Sequence, residues 1–267
     1  MKAHISRPPY RGAADMLKDI PRQRLRRERK AQGLPASEDV GTLSVMLQAL
    51  RDAAESYLGH EISSALAATP NLVALYQEDV DDAFEYLGLK SLDDPNPLFR
   101  MFHETAAAAA SYGIGLCHDY SDRDACKEES IHLPDRVLLS VLYTKDSLCV
   151  EMSVINSIYA NWPYAASPPS MDFSLGSDKI RDNPNEEYYW EGVKDTIYRG
   201  VLAGLRVRRR PSVVFVFGES SMKTKFRSVL DDALRHLLGE VPEIMDKNPI
   251  FGPAQGAAEL AKRGGYR

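Results

Sequence analysis

The turn that follows the most apolar strand of the chain has the residue types best suited to hold an anion. Residues 212–217 (SVVFVF) are a continuous β-branched and aromatic run that predicts a buried strand, and Gly218, Glu219, Ser220 and Ser221 follow it. Glycine lets the backbone approach a ligand, and the helix predicted next begins with free N–H groups and a positive dipole end. With two added hydroxyls the turn could hold a phosphate or a ribose, although any strand-to-helix junction shares this pattern.

Spacing argues against the other kinds of site that the residue types suggest. Cys117, His118, Cys126 and His132 lie near each other, but no Cys-x-x-Cys pair occurs, so neither a zinc site nor a Cys–His nucleophile is expected. No serine at the turn is flanked by glycines two positions away on each side, which a hydrolase nucleophile needs. The chain also has no G-x-x-x-x-G-K-[ST] phosphate loop. We therefore predict no metal and no catalytic residue.

Two charged segments each have a functional and a structural interpretation. Residues 22–30 (RQRLRRERK) could be a nuclear address or a patch for an anionic partner, but a solvated helix face is favoured. The helix predicted at 71–87 has an acidic face that could hold a divalent cation. Its spacing does not match a calcium loop, so a solvated face is again favoured. The acidic residues are Glu78, Asp79, Asp81, Asp82 and Glu85.

Composition limits the class of protein. The chain has 267 residues, of which 44% are hydrophobic and 27% charged, and its formal net charge is −5. These values are typical of a folded chain, and a mildly acidic protein is not expected to bind nucleic acid. No apolar run is long enough for a membrane span, and the N-terminus does not resemble a secretory signal. Three cysteines cannot all pair, so we interpret Cys117, Cys126 and Cys149 as thiols of a cytoplasmic, or alternatively nuclear, protein.

Alternating helices and strands must position the turn. Apolar residues at intervals of three and four predict a helix at 40–59 whose buried stripe is Leu43, Met46, Leu47, Leu50, Ala54, Tyr57 and Leu58. Five consecutive alanines near residue 108 have almost no bulk, so their helix can pack closely against another helix or a sheet. We interpret the aromatic cluster Tyr188-Tyr189-Trp190 as core packing. The other predicted strands are 62–68, 98–103, 137–143 and 148–155, and the other predicted helices are 185–200, 223–238 and 252–263.

In this order the segments resemble the ATPase domain of the DnaK-type 70-kDa heat-shock chaperones. Residues 100–113 (RMFHETAAAAASYG) are similar to the stretch that links its two lobes. Residues 54–59 (AESYLG) and 67–70 (AATP) are similar to segments of its first lobe. Residues 214–221 (VFVFGESS) are similar to its adenosine-contacting turn, and 248–258 (NPIFGPAQGAA) to its last helix.

The resemblance implies an α/β protein with the actin-like, ribonuclease H-like ATPase fold. Residues 1–39 would be a basic peripheral segment, 40–113 a partial first lobe with a hinge helix, and 114–267 a reduced second lobe. Glu104 and Gly113 would lie at the hinge. The residues that would contact ATP or ADP are Gly218, Glu219, Ser220, Ser221 and Gly256.

Both phosphate loops of the family are missing or altered in this chain. Residues 1–39 contain no counterpart of the first loop. The second maps onto the hairpin turn, where Leu142 stands in place of an aspartate and cannot order magnesium or water. Side chains replace the family's glycines and obstruct the approach of backbone N–H groups to a phosphate, and the charge of Glu219 opposes an anionic ligand. The altered loop consists of Leu142, Thr144, Lys145, Asp146 and Ser147.

We therefore expect a pseudo-ATPase that acts as a scaffold or chaperone-like module for a protein partner, with at most weak ATP or ADP contact and no metal or membrane. One alternative is an ATP-binding chaperone ATPase whose first phosphate loop is encoded upstream of this sequence. A second is an adaptor that binds an anionic partner through residues 22–30. A third is a gene fragment that folds poorly because its first lobe has an exposed sheet edge.

Overall fold

The fold is given by a computed structural model, which describes residues 19–70, 75–92, 102–158, 164–165, 170–183, 185–206 and 209–263. These residues form two compact units, divided between His103 and Glu104. The alanine-rich helix that we predicted in the first lobe belongs to the second unit, because it packs on the last helix of that unit. Most of the predicted strand 98–103 and the start of the predicted helix 71–87 lie outside the described residues.

The described part of the first unit contains three helices and four very short strands. Helix α1 spans Ile20–Ala31, α2 spans Glu38–Leu58 and α3 spans Gln77–Tyr86. The predicted strand 62–68 is divided between two partners in separate parallel pairs. These pairs are β1 (Ser64–Ala65) with β3 (Lys90–Ser91), and β2 (Ala68–Thr69) with β4 (Phe102–His103).

Helix α2 buries a narrower stripe than its sequence predicts. The Ser37 hydroxyl caps it by accepting the N–H of Val40 at 3.1 Å. Val40 is buried with Ala83 of α3, and Leu43 and Leu47 pack beside them. The prediction was wrong for four apolar residues, which are exposed because α2 contacts α3 along one side: Met46, Leu50, Tyr57 and Leu58.

The second unit contains a six-stranded mixed sheet. Its strands are β5 (Arg136–Tyr143), β6 (Leu148–Ile155), β7 (Tyr164–Ala165), β8 (Ser170–Asp172), β9 (Val213–Phe217) and β10 (Glu243–Met245). Strand β5 is antiparallel to β6 and parallel to β9, which is in turn parallel to β10. Strands β7 and β8 both pair antiparallel with β6. The predicted hairpin and the predicted buried strand are confirmed.

Two long helices enclose the main apolar core against one face of this sheet. They are α6 (Glu186–Arg206) and α7 (Thr224–Leu238). Alternate residues of β5, β6 and β9 supply the sheet side of the core. Tyr189 and Trp190 of α6 are part of it, which confirms their predicted role in core packing. The prediction was wrong for Tyr188, which lies on the solvent side of α6 and is 69% exposed.

Two further helices of the second unit pack closely against each other. They are α4 (Glu104–Ser111), in which all five alanines are buried, and α8 (Gly252–Lys262). A Cβ atom at Gly256 would lie 2.5 Å from the carbonyl carbon of Ala107 and nearer still to its oxygen. The close packing predicted for the alanine helix is confirmed, and it requires glycine at this position. Helix α5 (Arg123–His132) precedes the sheet.

Candidate functional site

Three chain segments come together at the carboxyl end of the parallel strands. The turn 218–221 follows β9, and the hairpin turn 144–147 follows β5. Because Leu142 of β5 pairs with Phe217 of β9, both turns leave the sheet at the same edge. Residues 175–178 pack on them as the chain enters a short 3-10 helix. These three segments are called the three-turn cluster below.

Backbone contacts hold the turn after β9 against the end of β5. The N–H of Ser220 donates to the carbonyl of Tyr143 at 3.1 Å, and the N–H of Gly218 donates to the carbonyl of Pro249 at 3.0 Å. Gly218 has a φ of 100°, and a Cβ atom there would lie 2.9 Å from the carbonyl carbon of Tyr143. Glycine is therefore required here by a contact within the protein.

The carboxylate of Glu219 accepts a hydrogen bond from the backbone of the hairpin turn. Its Oε1 atom accepts the N–H of Lys145 at 2.7 Å. The Thr144 hydroxyl accepts the N–H groups of Asp146 and Ser147, at 3.2 and 2.9 Å. The N–H of Thr144 donates to the carbonyl of Ser147 at 2.9 Å. All four N–H groups of this turn therefore already donate within the protein.

The segment before the 3-10 helix encloses the serines that we predicted as ligand donors. The N–H groups of Ser177 and Asp178 donate to two carbonyls of the hairpin turn, at 2.9 and 3.0 Å. The hydroxyls of Ser177 and Ser220 lie 2.8 Å apart, and both residues are buried. Ser221 is fully buried as well. The cluster thus directs its hydroxyl groups into the protein.

Two buried tyrosines support the three-turn cluster, and the sequence prediction missed them. The Tyr189 hydroxyl lies 2.9 and 3.0 Å from the carbonyl oxygens of Leu175 and Gly176, and 2.8 Å from the Tyr143 hydroxyl. Tyr189 has one proton and uses it on a carbonyl, so Tyr143 donates to Tyr189. Burial raises the pKa of both phenols and keeps them protonated. Tyr143 is the last residue of a strand predicted to be buried. Because a buried phenol needs a hydrogen-bond partner, its position could have indicated a polar contact at this end of the sheet.

The other predicted site residues belong to α4 and its packing on α8. Gly256 is buried against Ala107, as described above. Gly113 follows the end of α4 with a φ of 74°, and its N–H donates to the carbonyl of Ala110. Glu104 begins α4, and burial raises the pKa of its carboxyl to about 7. The hinge role of Glu104 and Gly113 stays a prediction.

The two charged segments pair with each other, so the interpretation as solvated faces was wrong for the residues that pair, whereas Arg24 and Glu28 are exposed as predicted. Arg26 of α1 is buried and donates to Asp79 at 2.8 Å and to Asp82 at 2.5 Å. Lys30 donates to Asp82 at 2.8 Å. Burial lowers the pKa of Arg26, but its bond to Asp79 and the surrounding carboxylates outweigh this and raise it. Arg26 and Asp79 are 53 residues apart, so neither segment's own pattern reveals its partner.

Two of the three cysteines are bonded, so their interpretation as free thiols was wrong. Cys117 and Cys126 form a disulfide with their Cα atoms 5.2 Å apart, whereas Cys149 is a buried thiol. The chain between the bonded pair turns back to begin α5, which spacing alone does not show. His118 pairs with Glu129. Within the described ranges, no three His, Cys, Asp or Glu side chains are placed to hold a metal ion.

Comparison with known proteins assigns no family to the chain. It matches no protein-family model, and no curated protein matches it. In the part of the chain that the structure describes, no helix is both long and apolar enough to cross a bilayer. The three-turn cluster is therefore the main basis for inferring a function.

Proposed function

We propose that this chain is a pseudo-ATPase of the actin-like fold that serves as a scaffold or chaperone-like module. The connectivity of the second unit supports the fold assignment. An antiparallel group of β5, β6 and β8 is followed by α6, β9, α7, β10 and α8, and β5 lies between β6 and β9. A ribonuclease H-like lobe, which the resemblance to heat-shock ATPases implies, would have this connectivity.

The contact between Glu219 and Lys145 is the observation on which the functional proposal rests. A phosphate loop binds its ligand through free backbone N–H groups that converge on the phosphate. Here the Glu219 carboxylate is the anion at the Lys145 N–H, and Thr144 accepts the next two donors. The residues present therefore do not fit a phosphate group. Phosphoryl transfer depends on positioning by such donors, and the backbone N–H groups of this turn are already occupied.

The surface of helix α2 supports a role in binding other proteins. Met46, Leu50 and Tyr57 are exposed along one side of the helix. Contiguous exposed apolar side chains are typical of surfaces that a partner covers. A scaffold or chaperone-like module would use such a surface, whereas an enzyme that acts on a small substrate would not need it.

Isothermal titration calorimetry with ATP and ADP, with and without Mg²⁺, tests the proposal. Wild-type protein, shown to be folded by circular dichroism, should give no saturable heat for a dissociation constant tighter than about 1 mM. Because Mg²⁺ bridges phosphate oxygens in working ATPases, its addition should change nothing. Saturable binding that Mg²⁺ strengthens would contradict the proposal and favour the ATP-binding chaperone ATPase.

A further inference from the structure

We propose that Cys117 and Cys126 are a site of reversible thiol–disulfide exchange, whose oxidation state controls the attachment of helix α5 to the second unit. The disulfide joins the segment after α4 to the first turn of α5. Residues 117–126 are called the disulfide loop below. The inference does not depend on the proposed function, because none of these residues belongs to the three-turn cluster.

The two bonded cysteines differ in their exposure to solvent. Cys117 is 1% exposed and follows the buried Leu116. The preceding Gly115 is anchored as well, since its carbonyl accepts the N–H of Ile158 at 2.9 Å. Cys126, on α5, is partly exposed. Thiol–disulfide exchange begins at the sulfur that the attacking thiolate can reach, so the reductant should attack Cys126.

Among the residues that the structure describes, few other interactions hold helix α5 in place. Of its residues Ser130 is buried, while Ile131 is 66% exposed. Glu129 accepts the N–H of His118 at 2.8 Å and pairs with its exposed ring. An exposed side-chain contact of this kind adds little stability, and a helix of ten residues is marginal by itself. Within the described part of the chain, the disulfide is therefore the main attachment of α5.

The disulfide loop also contacts the chain at the end of α8. Arg263 donates to the carbonyl of Cys117 at 2.7 Å, and its guanidinium lies 4.6 Å from the ring centroid of Tyr120. Lys262 lies 5.7 Å from the same ring. Tyr120 is inside the disulfide loop, so a loop opened by reduction would hold this contact less firmly. The oxidation state of the disulfide would then change how firmly the end of α8 is held.

The exchange requires a reductant of the glutathione class. Its thiolate attacks the Cys126 sulfur, the Cys117 thiolate leaves, and a mixed disulfide forms on Cys126. A second reductant thiolate attacks the reductant's own sulfur in that mixed disulfide and releases the Cys126 thiolate. Two reductant thiols are thereby oxidised to one disulfide, and the protein gains two electrons. Each protein thiolate then takes up one proton.

Hydrogen exchange of the intact protein, oxidised and then reduced by glutathione, tests the inference. After reduction the amides of α5 should exchange roughly 100-fold faster. A disulfide that closes a loop of about ten residues reduces the number of conformations of the opened segment by about that factor, and reduction removes this restriction. The amides of α7 should keep their rates. The variant Cys117→Ser/Cys126→Ser should exchange rapidly in α5 under both conditions, and Cys149→Ser should behave like the wild type.

Three results would overturn the inference. The first is equal exchange of α5 in the oxidised and reduced wild-type protein, a comparison that needs no variant to fold. The second is a mass spectrum of the quenched reaction with the glutathione adduct on Cys117, since we expect it on Cys126. The third is the absence of a peptide cross-linked between Cys117 and Cys126 after equilibration with glutathione disulfide.

Discussion

The substitution Gly256→Ala tests how closely α4 and α8 approach each other. A Cβ atom at this position would lie 2.5 Å from the carbonyl carbon of Ala107 and 3.0 Å from the nitrogen of Ser111. Both are backbone atoms, so no side chain can rotate away from the new methyl group. Ordinary carbon contacts need about 3.5 Å, and the carbonyl oxygen of Ala107 lies nearer still, so the two helices must separate by at least about 1 Å.

Two opposing effects decide the size of the change. Alanine is favoured over glycine inside a helix by about 1 kcal/mol. Overpacking costs about 1–3 kcal/mol, and a separation of about 1 Å forfeits up to half of the dispersion energy between the atoms concerned. All five alanines of α4 are buried, so the cost should reach or exceed the upper end of this range. We expect a net loss of about 2 kcal/mol, which lowers Tm by roughly 4–8 °C for a unit of this size.

Urea denaturation followed by circular dichroism measures this loss. Gly252→Ala is the matched control, because it changes the same residue type in the same helix where a Cβ atom meets nothing within 4 Å. The control should change the free energy of unfolding by less than about 1 kcal/mol, because the better helix propensity of alanine is offset by the restriction that Pro253 places on the residue before it. A Gly256→Ala protein as stable as wild type would show that the helices accommodate a methyl group, and the argument from close packing would fail.

Substitutions at three other sites, two of them with a matched control, have defined outcomes. Glu219→Ala should lower the free energy of unfolding by about 1 kcal/mol, because it removes the acceptor of the Lys145 N–H at a solvated site. Glu219→Gln keeps an acceptor oxygen and should lower it less. Equal losses for the two variants in urea denaturation would argue against the contact. Arg26→Gln should cost about 3 kcal/mol, because it removes the cation paired with the buried Asp79 while Asp82 keeps Lys30. It should speed hydrogen exchange in α3, whereas Arg24→Gln at an exposed position should not. Glu104→Gln should remove a pH dependence of the free energy of unfolding. The buried carboxyl binds its proton more tightly when folded, so wild-type stability should fall by roughly 3 kcal/mol as the pH rises from 4.5 to about 7. The same fall in denaturation of the variant would assign this titration to another group.

The secondary structure of the second unit was largely predictable because its signals are local. A continuous β-branched run predicts β9, and two apolar runs separated by a polar turn predict the hairpin of β5 and β6. The alanine run and the small residues around Gly256 likewise predict helices that can approach closely. Each of these features depends on neighbours within one segment, so the sequence pattern is sufficient to identify it.

The contacts that define the candidate site depend on residues far apart in the chain. Lys145 and Glu219 are 74 residues apart, and the pairing of β5 with β9 brings them together. Both had been singled out as obstacles to a phosphate, but their direct contact is a property of the sheet. The pairing of Arg26 with carboxylates of α3 has the same origin. Helix α2 shows that a local pattern can also predict too much, because its apolar residues indicate a buried face wider than the one that α3 covers.

The burial of Cys149 provides a natural reporter of motion in the sheet. With the other two cysteines bonded, it is the remaining thiol of the protein. It lies on β6 opposite Leu142, and burial, with the negative charges of Glu151 and Glu104, raises its pKa to about 12. A thiol-specific reagent needs the exposed thiolate, so modification requires β6 to separate from its neighbours first. The labelling rate of the oxidised protein, divided by that of an unfolded reference, therefore measures the free energy of opening this strand without an engineered probe.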